Sequence, residues 1–251
     1  MNVADLLEFS IPIYRYESED DGIELIASAF GFRMEDSRFL ITAAHVVGTK
    51  PLTDFVYRAG GKFQRFCATM SEKRDIGGGK LCASTTSPSL DIAVFELNEG
   101  DGLKLATEFR FSTQDTLASS SPTPGTICVA IGFPRGRNKW AKSTNTVPST
   151  AFAFAFESID PAASSLLGVT RETHILGKMD RLHGYKYPGT THSTTVTHPD
   201  RMSGSPVFEL IGGNDVDGFK TARLLGVATE YFESQGLICS AFIGQAIAMI
   251  Q

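Results

Sequence analysis

Three side chains of complementary chemistry stand out along the chain, His45, Asp91 and Ser203. A serine hydroxyl is a poor nucleophile at neutral pH until a base removes its proton. Imidazole suits that task, and a carboxylate fixes the imidazole tautomer and stabilises the imidazolium that forms. Taken alone, each residue has an ordinary explanation: His45 as a packed or solvated histidine, Asp91 as a strand-start residue, Ser203 as part of a common Ser-Gly turn. Their settings add more. His45 ends the run Phe39-Leu-Ile-Thr-Ala-Ala-His45, whose alanines leave room beside an imidazole for an acid and a substrate. Asp91 directly precedes Ile92-Ala-Val-Phe95, so its carboxylate is expected to be partly buried and to need a partner such as a histidine N–H. Ser203-Gly-Ser-Pro-Val-Phe208 is a turn leading into an apolar strand.

The rest of the chain is built from short apolar bursts: Ile11–Tyr16, Leu25–Phe32, Phe39–Val47, Ile92–Leu97, Ile127–Phe133, Ala151–Phe156, Val207–Ile211, Leu224–Thr229 and Gly236–Phe242. They are mostly strand-sized, and they are bounded by breakers such as Gly77-Gly78-Gly79, Ser119–Gly125 and Gly212-Gly213-Asn214. An all-β plan follows. Helical signal is confined to the ends, at Val3–Glu8 and Ile243–Ile250. The Ser/Thr/Pro-rich stretch Leu117–Gly125 is expected to join two lobes, 1–118 carrying His45 and Asp91 and 119–251 carrying Ser203. The polar stretches Arg135–Pro148 and Arg181–Thr195 are expected as exposed loops, and His174, His183 and His192 as surface residues.

The elements Thr42–His45, Asp91–Ala93 and Ser203–Val207, in that order, resemble the triad-bearing segments of the chymotrypsin-like serine peptidases. Val129-Ala-Ile-Gly-Phe-Pro134 looks like a second-barrel signature of bacterial members, and Gln245–Ile250 like the terminal helix. The resemblance spans nearly the whole chain. It implies two packed six-stranded antiparallel β-barrels with a short C-terminal helix and the active site in the crevice between the barrels. It also implies a serine endopeptidase acting through an acyl-enzyme, with His45, Asp91 and Ser203 as the triad. The turn is most similar to the bacterial cytosolic and glutamyl-endopeptidase-like branch, and Ser203 is preferred to Ser205 as nucleophile because Pro206 follows the latter.

Two departures bear on mechanism. The aspartate that captures a new amino terminus in digestive members is replaced by Met202, so that activation route is not expected. The oxyanion hole implied by the resemblance uses the amides of Ser203 and of the residue two before it, normally glycine and here Arg201. Glycine accepts positive φ readily and a residue with a side chain does not. Arg201 therefore either leaves the hole unformed until substrate or an activating protein partner orders it, or is held in place by its loop. The implied substrate pocket comprises Thr197, His198, Ala228, Thr229, Glu230 and Tyr231. Glutamyl specificity is not supported, because no histidine stands near Ala228.

Composition excludes other classes. Lys and Arg number 23 against 28 Asp and Glu, a net charge of −5, so no broad cationic face is expected for nucleic acid or anionic membrane. No apolar run approaches the ~20 residues of a membrane-spanning helix. Met1–Ser10 carries Asp5 and Glu8 and does not read as a secretory signal, so a cytoplasmic location is expected. Cys67, Cys82, Cys128 and Cys239 lack paired metal-site spacing and are expected as reduced structural thiols. No cofactor or metal is expected. The expected partner is a polypeptide substrate, and the resemblance adds a regulated role in bacterial defence. The rival reading is a catalytically weak pseudo-protease acting as a binding scaffold.

Overall fold

The apolar bursts fold as strands. The computed structural model describes residues 2–16, 22–48, 54–66, 79–84, 90–134, 138, 149–163, 169–186, 190–194, 199, 201–212 and 219–251. After the one-turn helix α1 (Val3–Leu7) come β1 (Ser10–Tyr16), β2 (Ile23–Met34), β3 (Ser37–Ala43), the short helix α2 (Ala44–Val47), β4 (Phe55–Ala59), β5 (Lys62–Arg65), β6 (Gly79–Ser84) and β7 (Ile92–Leu97). Helix α3 (Glu99–Glu108) and the two-residue β8 (Phe111–Ser112) complete this half. The second half contains β9 (Ile127–Gly132), β10 (Phe152–Ile159), β11 (His174–Lys186), β12 (Thr190–Thr194), β13 (Pro206–Ile211), β14 (Thr221–Phe232), β15 (Leu237–Phe242) and helix α4 (Ile243–Ile250).

The strands form two sheets. The first has the order β5-β4-β1-β2-β3-β7-β6, with β8 alongside β2 in parallel. The second runs β10-β9-β13-β14-β15-β11, and the pairing of β11 back onto β10 closes it into a six-stranded antiparallel barrel from which β12 extends. Closure was expected of both halves. Among the described residues it is present in the second, while the first ends at β5 and β6. Within the first sheet, β4 and β5 are joined by Gly60-Gly61, both at positive φ (59° and 74°), which a two-residue type I′ hairpin requires of both central positions.

Successive strand residues point to opposite faces, so several central strands serve two cores. Ile41 and Phe30 pack with Val129, Phe208 and Val227 between the sheets. Their neighbours Leu40 and Ala29 pack with Phe55, Tyr57 and Phe95 on the other face of the first sheet. Inside the closed barrel, Ala130, Phe154, Ile175 and Leu225 form a third cluster. The chain ends cross between sheets: α1 lies against β9 and β10, and α4 against β6, β7 and β14. Burial of both strand faces explains why so many strands read as unbroken apolar runs.

Three expectations are corrected. The stretch Arg181–Thr195, expected as loop, contributes the end of β11 and all of β12, which places His183 and His192 on strands. His174 is buried, 5% exposed, and its Nδ1 lies 2.8 Å from the Thr173 hydroxyl. Helix α3 was not expected. Its periodicity is faint, because only Leu105 among its apolar residues is buried and two glycines interrupt it, but the Asn98 side chain caps its first turn by accepting the Asp101 amide. Arg135–Pro148 falls outside the described residues except for Asn138, which is buried and bonded to Thr150 and Pro134. Cys128 and Cys239 are buried free thiols, and burial pushes the Cys239 thiol up to about 11. Among the described residues no group of three His, Cys, Asp or Glu could hold a metal ion, and no helix is long and apolar enough to cross a membrane.

Candidate active site

His45 owes its position to the end of β3. Pairing of Ala43 with Ile92 brings the last residue of β3 beside the first of β7, and the chain then turns into α2. Asp91, just before β7, adopts a left-handed backbone at φ 46°, a region in which aspartate is among the enriched side-chain-bearing residues. It holds the Ala44-His45 turn at three points, two of them on the histidine itself. Its carbonyl accepts the Ala44 amide at 3.0 Å, its Oδ1 accepts the His45 amide at 2.8 Å, and its Oδ2 lies 2.5 Å from His45 Nδ1. The ring is thereby fixed with Nε2 left for other work. The hydrogen bond to Asp91 raises the His45 pKa above its ordinary value; partial burial opposes this, and the negative charges of Asp91 and Glu230 reinforce it.

Ser203 sits on a tight turn entering β13. The Met202 amide donates to Pro199 O and the Ser205 amide to Met202 O, while Gly204 N–H donates to Ala228 O and Ala228 N–H to Ser205 O, tying the turn to β14. A further bond, from Ser28 N–H to Ser203 O at 3.1 Å, ties it to β2 in the other sheet. Met202, which stands where an aspartate was noted as missing, is buried in the core of the closed barrel. Apolar burial anchors the turn there. The Ser203 hydroxyl donates to Thr229 O at 3.2 Å. Among the described residues neither the Ser203 nor the Arg201 amide is given to an acceptor.

Gly204 marks where the two sheets approach most closely at the site. Its φ is 88°, and a Cβ there would lie 2.0 Å from Ser28 O and 2.2 Å from Thr42 Oγ1. Left-handed backbone costs a side-chain-bearing residue about 1–2 kcal/mol, and overpacking adds about 1–3 kcal/mol. Gly204→Ala is therefore expected to lose about 3 kcal/mol, a fall in melting temperature of roughly 6–12 °C. Gly236 also has positive φ (65°), but nothing lies within 4 Å of its would-be Cβ, so Gly236→Ala is expected to lose only about 1–2 kcal/mol. Equal melting temperatures for the two variants would refute the close approach.

Arg201 takes the left-handed conformation, φ 70°, despite its side chain. Its guanidinium is anchored on β2: Nη2 lies 2.7 Å from Glu24 Oε1, and Nη1 donates to Leu25 O. Both charged side chains are about one-fifth exposed. These contacts tie the turn at residue 201 to the first sheet.

His45, Asp91 and Ser203 line one open cleft of about 430 Å³, together with Pro199, Arg201, Thr229, Glu230 and Tyr231. Of the expected pocket residues, Thr229, Glu230 and Tyr231 are in this wall. Ala228 is not: it is buried, and its backbone is hydrogen-bonded to the turn that bears Ser203. The reason is a bulge. Ala228 pairs with Ser240 and Glu230 with Cys239, so Thr229 is an inserted residue that changes which side chains face the cleft. Thr197 and His198 lie outside the described residues. Ser205 is fully buried, and its hydroxyl has no described partner, which removes it as a rival nucleophile. Pro199 was missed as a wall residue, as were Ser28 and Glu24 as supports of the turn. Nothing in their local sequence marks them.

Known structures have a similar fold. The serine protease domain of the Sesbania mosaic virus polyprotein superposes with a TM-score of 0.51 at 12% identity, covering 96% of this chain and 92% of that one. A scabies mite inactivated protease paralogue gives a TM-score of 0.54 at 15% identity, over 98% and 93%. A third structure belongs to work on aromatic interactions that drive the coupled folding and binding of the intrinsically disordered Sesbania mosaic virus VPg protein (TM-score 0.51, 12% identity, 98% and 97%). No protein-family model and no curated protein matches the sequence. At these identities the likeness establishes the fold, which is that of the chymotrypsin-like serine proteases.

Proposed function

We propose that this chain is a serine endopeptidase whose triad is Ser203, His45 and Asp91. The observation that carries this reading is the doubly held His45–Asp91 pair sharing one cleft with a turn-borne serine. The reaction requires the Ser203 hydroxyl to leave Thr229 O for His45 Nε2, which accepts its proton as Oγ attacks the scissile carbonyl. The amides of Ser203 and Arg201 receive the oxyanion. His45 then passes the proton to the departing amine, leaving an acyl-serine, and activates the water that releases it. Thr229, Glu230 and Tyr231 contact the substrate. In this reading 1–118 and 119–251 are two lobes with the cleft as their seam, and the protein works in the cytoplasm without metal or cofactor.

Digestion of a diverse peptide library by the purified chain tests the proposal. The expected result is new amino termini that accumulate with time and are suppressed by a serine-directed phosphonylating inhibitor. A specific observation favours a second reading, a scaffold that binds polypeptides without turnover: Ser203 bonds Thr229 rather than His45, and one fold neighbour is an inactivated paralogue. A library left intact under all conditions selects it. Control by a protein partner, as in a bacterial defence system, would act on the turn that carries Arg201 and Ser203, by ordering the oxyanion hole.

The pH profile carries a signed expectation. His45 must be neutral to accept the serine proton, so kcat/KM rises as pH climbs through the His45 pKa, and that limb lies above the ordinary imidazole value of about 6.5. Glu230 favours the imidazolium. Glu230→Gln therefore moves the limb to lower pH, and an unmoved or upward-shifted limb would contradict the coupling.

A further inference from the structure

Resting on the protease reading, we infer that Glu24, on β2 of the first sheet, is a positioning residue for the oxyanion turn and acts through Arg201. The backbone at residue 201 sits in a conformation that glycine adopts freely and that a side chain resists. Something must hold it there. The Arg201 side chain leaves the turn, crosses to the other sheet, and ends in two polar contacts at adjacent residues, the Glu24 carboxylate and the Leu25 carbonyl. The ion pair is four-fifths screened from solvent, so it is less weakened by water and salt than a surface pair.

Both anchors belong to the strand that also supplies Ser28, whose amide donates to Ser203 O and whose carbonyl lies against Gly204. The turn is thus held on β2 at both flanks of the nucleophile. Arg15 reaches the other oxygen of Glu24 at only 3.6 Å and is more exposed, which makes it a bystander by comparison. Without Glu24 the guanidinium loses its charged partner, the left-handed backbone at 201 loses its restraint, and the Arg201 amide samples positions where it cannot serve the oxyanion. Glycine at 201 removes the need for an anchor altogether.

Phosphonylation of Ser203 by a fluorophosphonate probe would be timed in the full chain for the wild type, Glu24→Gln, Arg201→Gly, the double variant and Arg15→Ala. Loss of an oxyanion donor lowers rate by about a hundred- to a thousandfold. Glu24→Gln is expected to slow labelling at least tenfold and to lower kcat with KM little changed, while Arg15→Ala labels at the wild-type rate. In the Arg201→Gly background, Glu24→Gln is expected to have no further effect, which also shows that the fold tolerates it.

An equal slowing in both backgrounds would mean that Glu24 acts by packing alone, and an undiminished rate for Glu24→Gln would mean that it does not act on the turn. Either result overturns the inference while the labelled wild type keeps the protease reading. An unlabelled wild type overturns both.

Discussion

Ser203→Ala is expected to abolish turnover while leaving the fold intact. The hydroxyl makes one described hydrogen bond, to Thr229 O at 3.2 Å, on a side chain at the cleft surface. Its loss costs about 0.5–1.5 kcal/mol at most. Removal of the nucleophile in a working triad lowers kcat by about a millionfold. The signature is therefore a large loss of rate with a melting temperature within a few degrees of the wild type. Any residual rate is expected to come from the proposed oxyanion amides at residues 201 and 203, which alanine retains. Any library cleavage that survives at the wild-type rate would assign the activity to a group other than Ser203.

Asp91→Asn is expected to lower kcat by about ten-thousandfold. The two carboxylate oxygens have separate tasks. Asparagine tolerates the left-handed backbone at 91 and keeps an oxygen to accept the His45 amide, so the local main chain survives. The other position, 2.5 Å from His45 Nδ1 in the native chain, then presents an NH₂ group. That group donates to Nδ1, which forces the proton onto Nε2, and an Nε2–H imidazole cannot accept the serine proton. The acid limb of whatever rate remains moves to lower pH, because the dominant cause of the raised His45 pKa is gone. A loss below tenfold would make the His45–Asp91 pair a structural contact.

The central strands were legible because of where they lie. β3, β7 and β9 are buried on both faces, and they read as continuous apolar runs whichever core each residue enters. The polar alternation of residues 181–194 resembles loop composition, so β12 and the end of β11 were lost. That His45, Asp91 and Ser203 share one cleft was legible because each is embedded in a short string that fixes its local geometry. Their supports were not. Arg201 and its Leu25 acceptor are 176 residues apart, and Glu24 and Ser28 are of types that ordinarily face water. The bulge at Thr229 reverses the strand phase in a way that alternation cannot foresee, and so Ala228 was misplaced.

The most direct measurement is to expose the purified protein to a fluorophosphonate and locate the adduct by peptide mass spectrometry. Reaction requires an alcohol made nucleophilic by its neighbours, so one adduct is expected, on the peptide containing Ser203, absent from Ser203→Ala and strongly slowed in Asp91→Asn. A wild-type chain that stays unmodified, or that carries the label on another serine, would contradict it.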